Sequence, residues 1–175
     1  MAFTEPSALE RLKYMQDAKT VAIVGASDNP SRASYFVATY LLSAAHFKLF
    51  FVNPKLDEIL GQKVYKSLAD IPEPVDIVDV FRKASDIPGV LDEAIAIKAK
   101  TFWMQLGISD DASAERGVAA GLNVVQDKCI RLSMRALLAD LTWRVLIPEL
   151  SLPSAINLSR SDLYLNPLEL LWRAL

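Results

Sequence analysis

Val21-Ala22-Ile23-Val24-Gly25-Ala26-Ser27-Asp28-Asn29-Pro30-Ser31-Arg32 runs from apolar residues into a glycine-bearing polar turn. The apolar part predicts a strand over Thr20–Gly25, covered on both faces. After the turn, Ser34–Ala45 places Phe36, Val37, Tyr40, Leu41 and Ala44 at helical spacing. Strand, turn and helix in that order make the layout of a nucleotide phosphate cradle. The first N–H groups of a helix lack intrahelical acceptors and carry the positive end of its dipole. An ordinary polar turn, with a helix N-cap at Ser31 or Ser34, fits the same residues. The rest of the chain has to separate the two.

Outward from this stretch, strand and helix alternate. Further strands are predicted over Lys48–Asn53, Val75–Phe81, Lys100–Leu106 and Asn123–Asp127. Helices are predicted over Asp86–Ala99 and Asp110–Ala120, the second stopped by Gly121. A short helix opens at Pro6-Ser7-Ala8-Leu9-Glu10, with Leu9, Leu12 and Met15 on one face. The expected fold is α/β: a Rossmann-like doubly wound parallel sheet of about five strands with flanking helices. The irregular link, Leu56–Pro74, holds a turn at Gly61 and a helical turn at Ser67-Leu68-Ala69-Asp70. A further helix is read over Ser133–Leu146, and Pro167–Leu175 as a last turn or two. The expected organisation is one domain over 1–146 and a leucine-rich C-terminal helical extension over 147–175, packing on the domain or on a partner subunit. Trp143, Leu146, Leu163, Leu165 and Trp172 would serve either packing or a homo-oligomer.

The chain has 175 residues, 19 Lys+Arg and 21 Asp+Glu, and a formal net charge of -2. That balance argues against a general nucleic-acid or membrane-surface binder. One cysteine, Cys129, excludes an internal disulfide, and one Cys with one His disfavours a zinc site. No apolar run reaches spanning length, and the first residues lack a leader pattern, so a cytoplasmic protein is expected.

In such a fold the ligand lies at the carboxyl ends of the strands. A dinucleotide fingerprint needs three glycines, where this chain has Gly25, Ser27 and Pro30. What remains suits an anion: Ser27, Ser31 and Ser34 hydroxyls and the Arg32 fork. The second strand ends Asn53-Pro54-Lys55, with lysine where NAD wants an acid. A lysine there favours a phosphorylated ribose, as in coenzyme A or NADP; a solvated loop lysine is the plain alternative. The third strand ends in Phe81, an apolar wall for an adenine or a core residue, followed by Arg82 and Lys83. The fourth ends Trp103-Met104-Gln105-Leu106-Gly107, with Trp103 read as packing.

Together these residues resemble the small CoA-binding protein family. The matching pieces are 24–34 (Val-Gly-Ala-Ser-Asp-Asn-Pro-Ser-Arg-Ala-Ser), 52–55 (Val-Asn-Pro-Lys), 60–72, 75–82, 103–108 (Trp-Met-Gln-Leu-Gly-Ile) and 124–130, within about residues 10 to 135. The nucleotide-binding part of the succinyl-CoA ligase α subunit is similar, with Asn-Pro-Lys after its second strand. The resemblance implies coenzyme A, as CoA or acyl-CoA, across the strand ends. Gly25, Ala26, Ser27, Arg32 and Ser34 would hold phosphates. Asn53, Pro54 and Lys55 would border the nucleotide and its 3′-phosphate. Phe81 and Arg82 would flank the adenine, and Met104, Gln105 and Gly107 would line the way to the pantetheine arm. Ala33 stands where the family often has proline, and the chain beyond about Arg135 is outside the shared pattern.

Catalytic sets are not visible. The ligase α subunit's phosphorylated histidine belongs to a second domain, and His46 reads as a helix-end residue. Asp76, Asp79 and Asp127 read as solvated carboxylates with pairing as the alternative. Cys129 reads as a small apolar residue; reaction with a CoA thiol is the sharper alternative. The expected function is therefore non-catalytic CoA binding, with an NADP-binding oxidoreductase or nicotinamide-ratio sensor as the competing class. A third reading is an interaction subunit whose nucleotide site has decayed.

Overall fold

A computed structural model describes residues 3–44 and 47–134. The expectations for His46, for most of the helix over 133–146, for the extension and for oligomer contacts through it lie outside these residues. Four α-helices lie wholly within these residues: α1 (Ala8–Asp17), α2 (Ala33–Ala44), α3 (Ile87–Ala96) and α4 (Asp111–Ala119). The strands are β1 (Thr20–Val24), β2 (Lys48–Val52), β3 (Glu58–Ile59), β4 (Gln62–Tyr65), β5 (Ile77–Val80), β6 (Thr101–Met104) and β7 (Asn123–Val125). They form one sheet in the order β3-β4-β2-β1-β5-β6-β7. All neighbours are parallel except β3 and β4.

All five expected strands are present, and two more come from the irregular link. Glu58–Ile59 and Gln62–Tyr65 pair antiparallel across Leu60-Gly61. Both turn residues have positive φ, 51° and 72°, as a two-residue hairpin of matching twist requires. Leucine at a left-handed position gives no turn signal in the sequence. The turn at Ser67–Asp70 appears as a 3-10 helix over Leu68–Asp70.

The central strands are continuously apolar because both faces are covered. On one face Val21, Ile23, Leu49, Phe51, Ile77 and Trp103 pack with Met15, Val37, Ala38 and Leu41. On the other Ala22, Val24, Phe50, Val78, Val80 and Phe102 pack with Leu68, Ile87, Val90, Leu91 and Ala114. Two expected helix faces differ in detail. Leu9 is 72% exposed and Phe36 54% exposed, because α1 and α2 each bury only a narrow stripe. Among the described residues no helix is long and apolar enough to cross a membrane.

The amino ends of the strands are tied by Asp76, which is buried rather than solvated. Its Oδ2 accepts from the N–H groups of Lys19 (2.7 Å) and Thr20 (3.1 Å) and from Thr20 Oγ1 (3.2 Å). Its Oδ1 meets Lys100 Nζ at 2.8 Å. Burial opposes the charge, but these donors outweigh it and hold the carboxyl below its ordinary value. Such a group contributes stability above pH 3.8 that is lost as pH falls through its lowered value. Asp76→Ala should therefore cost about 3 kcal/mol in urea unfolding at pH 7. That gap should narrow as the pH is taken well below 3.8.

Candidate functional site

The chain runs from β1 outward through β2 to β4, then returns to β5 on the other side of β1. The direction of winding reverses between β1 and β5, and the crevice of a doubly wound sheet opens at such a point. Two loops meet there, Gly25–Arg32 after β1 and Phe81–Lys83 after β5.

Gly25 fits this crossing as no other residue would. Its φ is +82°, and a Cβ on it would lie 2.6 Å from Phe81 O and 2.9 Å from Arg82 Cδ. Its N–H donates to Val52 O (3.0 Å), while the Phe81 N–H donates to Val24 O (2.8 Å). The turn is thus pinned between β2 and β5. Beyond it the loop bonds to itself. Asn29 N–H donates to Ser27 Oγ (3.1 Å), Ser31 N–H to Asn29 Oδ1 (2.9 Å) and Arg32 N–H to Asn29 O (3.0 Å). Arg32 O then accepts from Tyr35 and Phe36, which starts α2. The N–H groups of Ala33 and Ser34 stand in its first turn, where no helix carbonyl precedes them.

Asn53 joins the second strand end to this loop. Its Nδ2 donates to Ala26 O (2.7 Å), and its Oδ1 accepts from the Lys55 N–H (2.8 Å). Asn53 therefore acts through the backbone, positioning Pro54 and Lys55 at the rim. Arg32 and Lys55 are exposed, and neither has an acidic partner among the described residues. Arg82 is also at the rim but shared with Asp86 (3.0 Å).

The structure brings Gly25, Ala26, Ser27, Arg32, Asn53, Pro54, Lys55 and Arg82 together at the carboxyl ends of β1, β2 and β5. Ser34 is there too, but on the buried side of α2, 4% exposed. Phe81 is partly buried against the core, and its carbonyl rather than its ring meets Gly25. Met104 and Gln105 do not line a surface. Successive residues of β6 point to opposite faces, and both faces are covered there. Met104 is fully buried and Gln105 is 3% exposed. The Gln105 amide Nε2 donates to Asp79 Oδ1 (2.8 Å). The exposed residues at this strand end are Leu106 and Gly107. Gly107 has φ +81° and its N–H donates to Asp127 Oδ1 (2.7 Å). Leu106 is a rim residue that the sequence does not single out, although it is the first beyond the strand's buried run.

The three carboxylates do not pair. Asp76 serves the amino ends, Asp127 holds the Gly107 turn, and Asp79 is fully buried. Trp103 is core, its Nε1 donating to Lys128 O (2.7 Å). Cys129 is a free, partly buried thiol against the α2 side of the core.

Residues 19–135 match the CoA binding domain family, and the chain belongs to it. A relative in Bacillus subtilis, an uncharacterized protein, is 37% identical over 128 residues, spanning 73% of this chain and 94% of that one. A solved hypothetical protein from Pyrococcus horikoshii superposes with a TM-score of 0.72 at 31% identity, covering 79% of this chain and 99% of that one. The acetate–CoA ligase (ADP-forming) of Methanocaldococcus jannaschii is 37% identical over 82 residues, 47% of this chain but only 12% of the ligase. Family membership supports CoA binding and does not favour the nicotinamide reading.

Proposed function

We propose that this chain is a non-catalytic module that binds coenzyme A or an acyl-CoA at the crevice between β1 and β5. The observation that carries the reading is Gly25. Its backbone closes on the Phe81 carbonyl with no room for a side chain, which pins the turn after β1 ahead of the α2 N-terminus, where an anion would bind. The α2 N-terminus and the Arg32 guanidinium would meet the pyrophosphate, and Lys55 the 3′-phosphate. Arg82 would add charge beside the adenine. The exposed Leu106 offers apolar contact in the direction of the pantetheine arm.

The non-catalytic part of the proposal draws support from two of the carboxylates weighed for chemistry. Asp76 is saturated at the far end of the sheet, and Asp79 is enclosed. A family fit and a reducing-type cysteine usage support a cytoplasmic setting.

Calorimetry with CoA, dephospho-CoA and NADPH tests the reading. CoA should bind, and dephospho-CoA should bind about tenfold more weakly, the worth of one charge-assisted contact. Lys55→Ala should weaken CoA by the same factor and leave dephospho-CoA unchanged. Equal affinities for the two ligands would remove the Lys55 assignment. NADPH binding without CoA binding would replace the reading with the nicotinamide one.

A further inference from the structure

We infer that Asp79 is a proton-holding positioning residue beneath the nucleotide site, so that CoA binding is coupled to protonation of this buried carboxyl. The inference rests on the CoA reading above. Asp79 lies in β5, directly between Ile23 of β1 and Trp103 of β6. Two residues further along the strand is the Phe81 carbonyl that closes on Gly25. The side chain therefore lies one same-face position before the point where β5 closes on Gly25.

Its surroundings offer a carboxylate almost nothing. The residue is fully buried. Oδ1 accepts from Gln105 Nε2 at 2.8 Å, and Oδ2 has no hydrogen-bond partner among the described residues. The layer over this face of the sheet contributes Val37 and Ala38 of α2, with Ile130 and Met134 from the residues after β7. Ser34 is the buried polar residue of α2 on its packed stripe. The titratable or charged groups of the elements packed on this side are Tyr14, Tyr40, Cys129 and Arg131, with the part-buried Glu5–Arg11 pair beside α1. Arg131 is engaged on the rings of Phe36 and Tyr40, at 4.5 Å and 5.8 Å. The flanking strands place only Ile23 and Trp103 beside the carboxyl. Burial accordingly pushes it up to about 8, with the Gln105 hydrogen bond opposing.

In its neutral form Asp79 accepts from Gln105 and holds the end of β6, with the Leu106–Gly107 turn, against β5. Ionised, it places an uncompensated negative charge under the loop that must hold phosphates. A polyanionic ligand and that charge oppose each other, and the opposition is reciprocal. Ligand binding keeps the proton on Asp79, and loss of the proton weakens binding. Affinity should be full near pH 7 and fall as pH rises past about 8, where binding should take up protons.

The test uses the full chain, with CoA and with ADP, whose phosphates do not titrate between pH 7.5 and 9.5 and which has no thiol. Calorimetry across pH 7.5 to 9.5 should show affinity for both ligands falling about threefold or more in the wild type. In Asp79→Asn, which keeps the acceptor for Gln105 and cannot ionise, the fall should be absent. At pH 8, buffers of different ionisation enthalpy should report proton uptake in the wild type and none in the variant. Gln105→Met removes the donor that favours the carboxylate, so it should move the midpoint to higher pH. That shift decides the matter if Asp79→Asn does not fold. The same pH dependence and proton uptake in all three proteins would overturn the inference while leaving CoA binding intact. No CoA binding at pH 7 would instead overturn the CoA reading and the coupling with it.

Discussion

Gly25→Ala should be among the most damaging single-methyl additions in this chain, costing about 3 kcal/mol of stability and lowering CoA affinity at least ~30-fold. Two effects combine. The φ of +82° is strained for any L-residue, which costs about 1 kcal/mol by itself. The added Cβ would also meet Phe81 O at 2.6 Å. The Arg82 side chain can swing away, but a strand-end carbonyl cannot. The ends of β1 and β5 must then separate, loosening the bonds from Phe81 to Val24 and from Gly25 to Val52. Gly107→Ala is the control. Its φ is +81°, but nothing lies within 4 Å of its Cβ, so it should show the strain alone. Urea unfolding of both variants checks the stability part, and calorimetry under folded conditions checks the binding part. If Gly25→Ala proves as mild as Gly107→Ala, close approach at the switch point is not what the site depends on.

The placement of most candidate residues at neighbouring strand ends was readable because its signals are local. A buried parallel strand is apolar throughout, and Val21–Val24 shows that in four residues. The glycine at its end, the serines and the Asn53-Pro54-Lys55 turn are local as well. What escaped the sequence depended on neighbours far along the chain. Phe81 reads as an adenine wall until the turn at Gly25 is seen to need its carbonyl. Met104 and Gln105 read as site residues because they are near a strand end, but β6 is covered on both faces to its last residue. Asp79 reads as one solvated carboxylate among several, since nothing in Val-Asp-Val tells how deep the strand lies. The β3–β4 hairpin was hidden for another reason. Its strands are only two and four residues long, and Leu60 occupies a conformation that glycine or asparagine would have advertised.

Asp79→Asn should stabilise the free protein at alkaline pH by ~2–4 kcal/mol, an unusual gain for changing a fully buried polar residue. The sign follows from proton binding. Below the ordinary carboxyl value of 3.8, folded and unfolded chains both hold the proton, and Asp79 has no pH effect. Between there and about 8 the unfolded chain releases the proton while the folded chain keeps it. Wild-type stability then falls with rising pH by up to about 1.4 kcal/mol per unit from this group. Above that range the folded carboxyl is ionised as well and the loss levels off. An asparagine in its place would carry no such penalty, so the gap between variant and wild type should open steadily from pH 5 to pH 8. Asp76 does not confuse the comparison, because its contribution changes only below 3.8, at the acid end. Urea unfolding at pH 5, 7 and 9 measures the gap directly. A constant gap would mean that Asp79 is ionised within the folded domain at neutral pH. The cradle above it would then have to hold phosphates against a fixed negative charge, and Arg32 and Lys55 would be needed to offset that charge before they could attract a ligand.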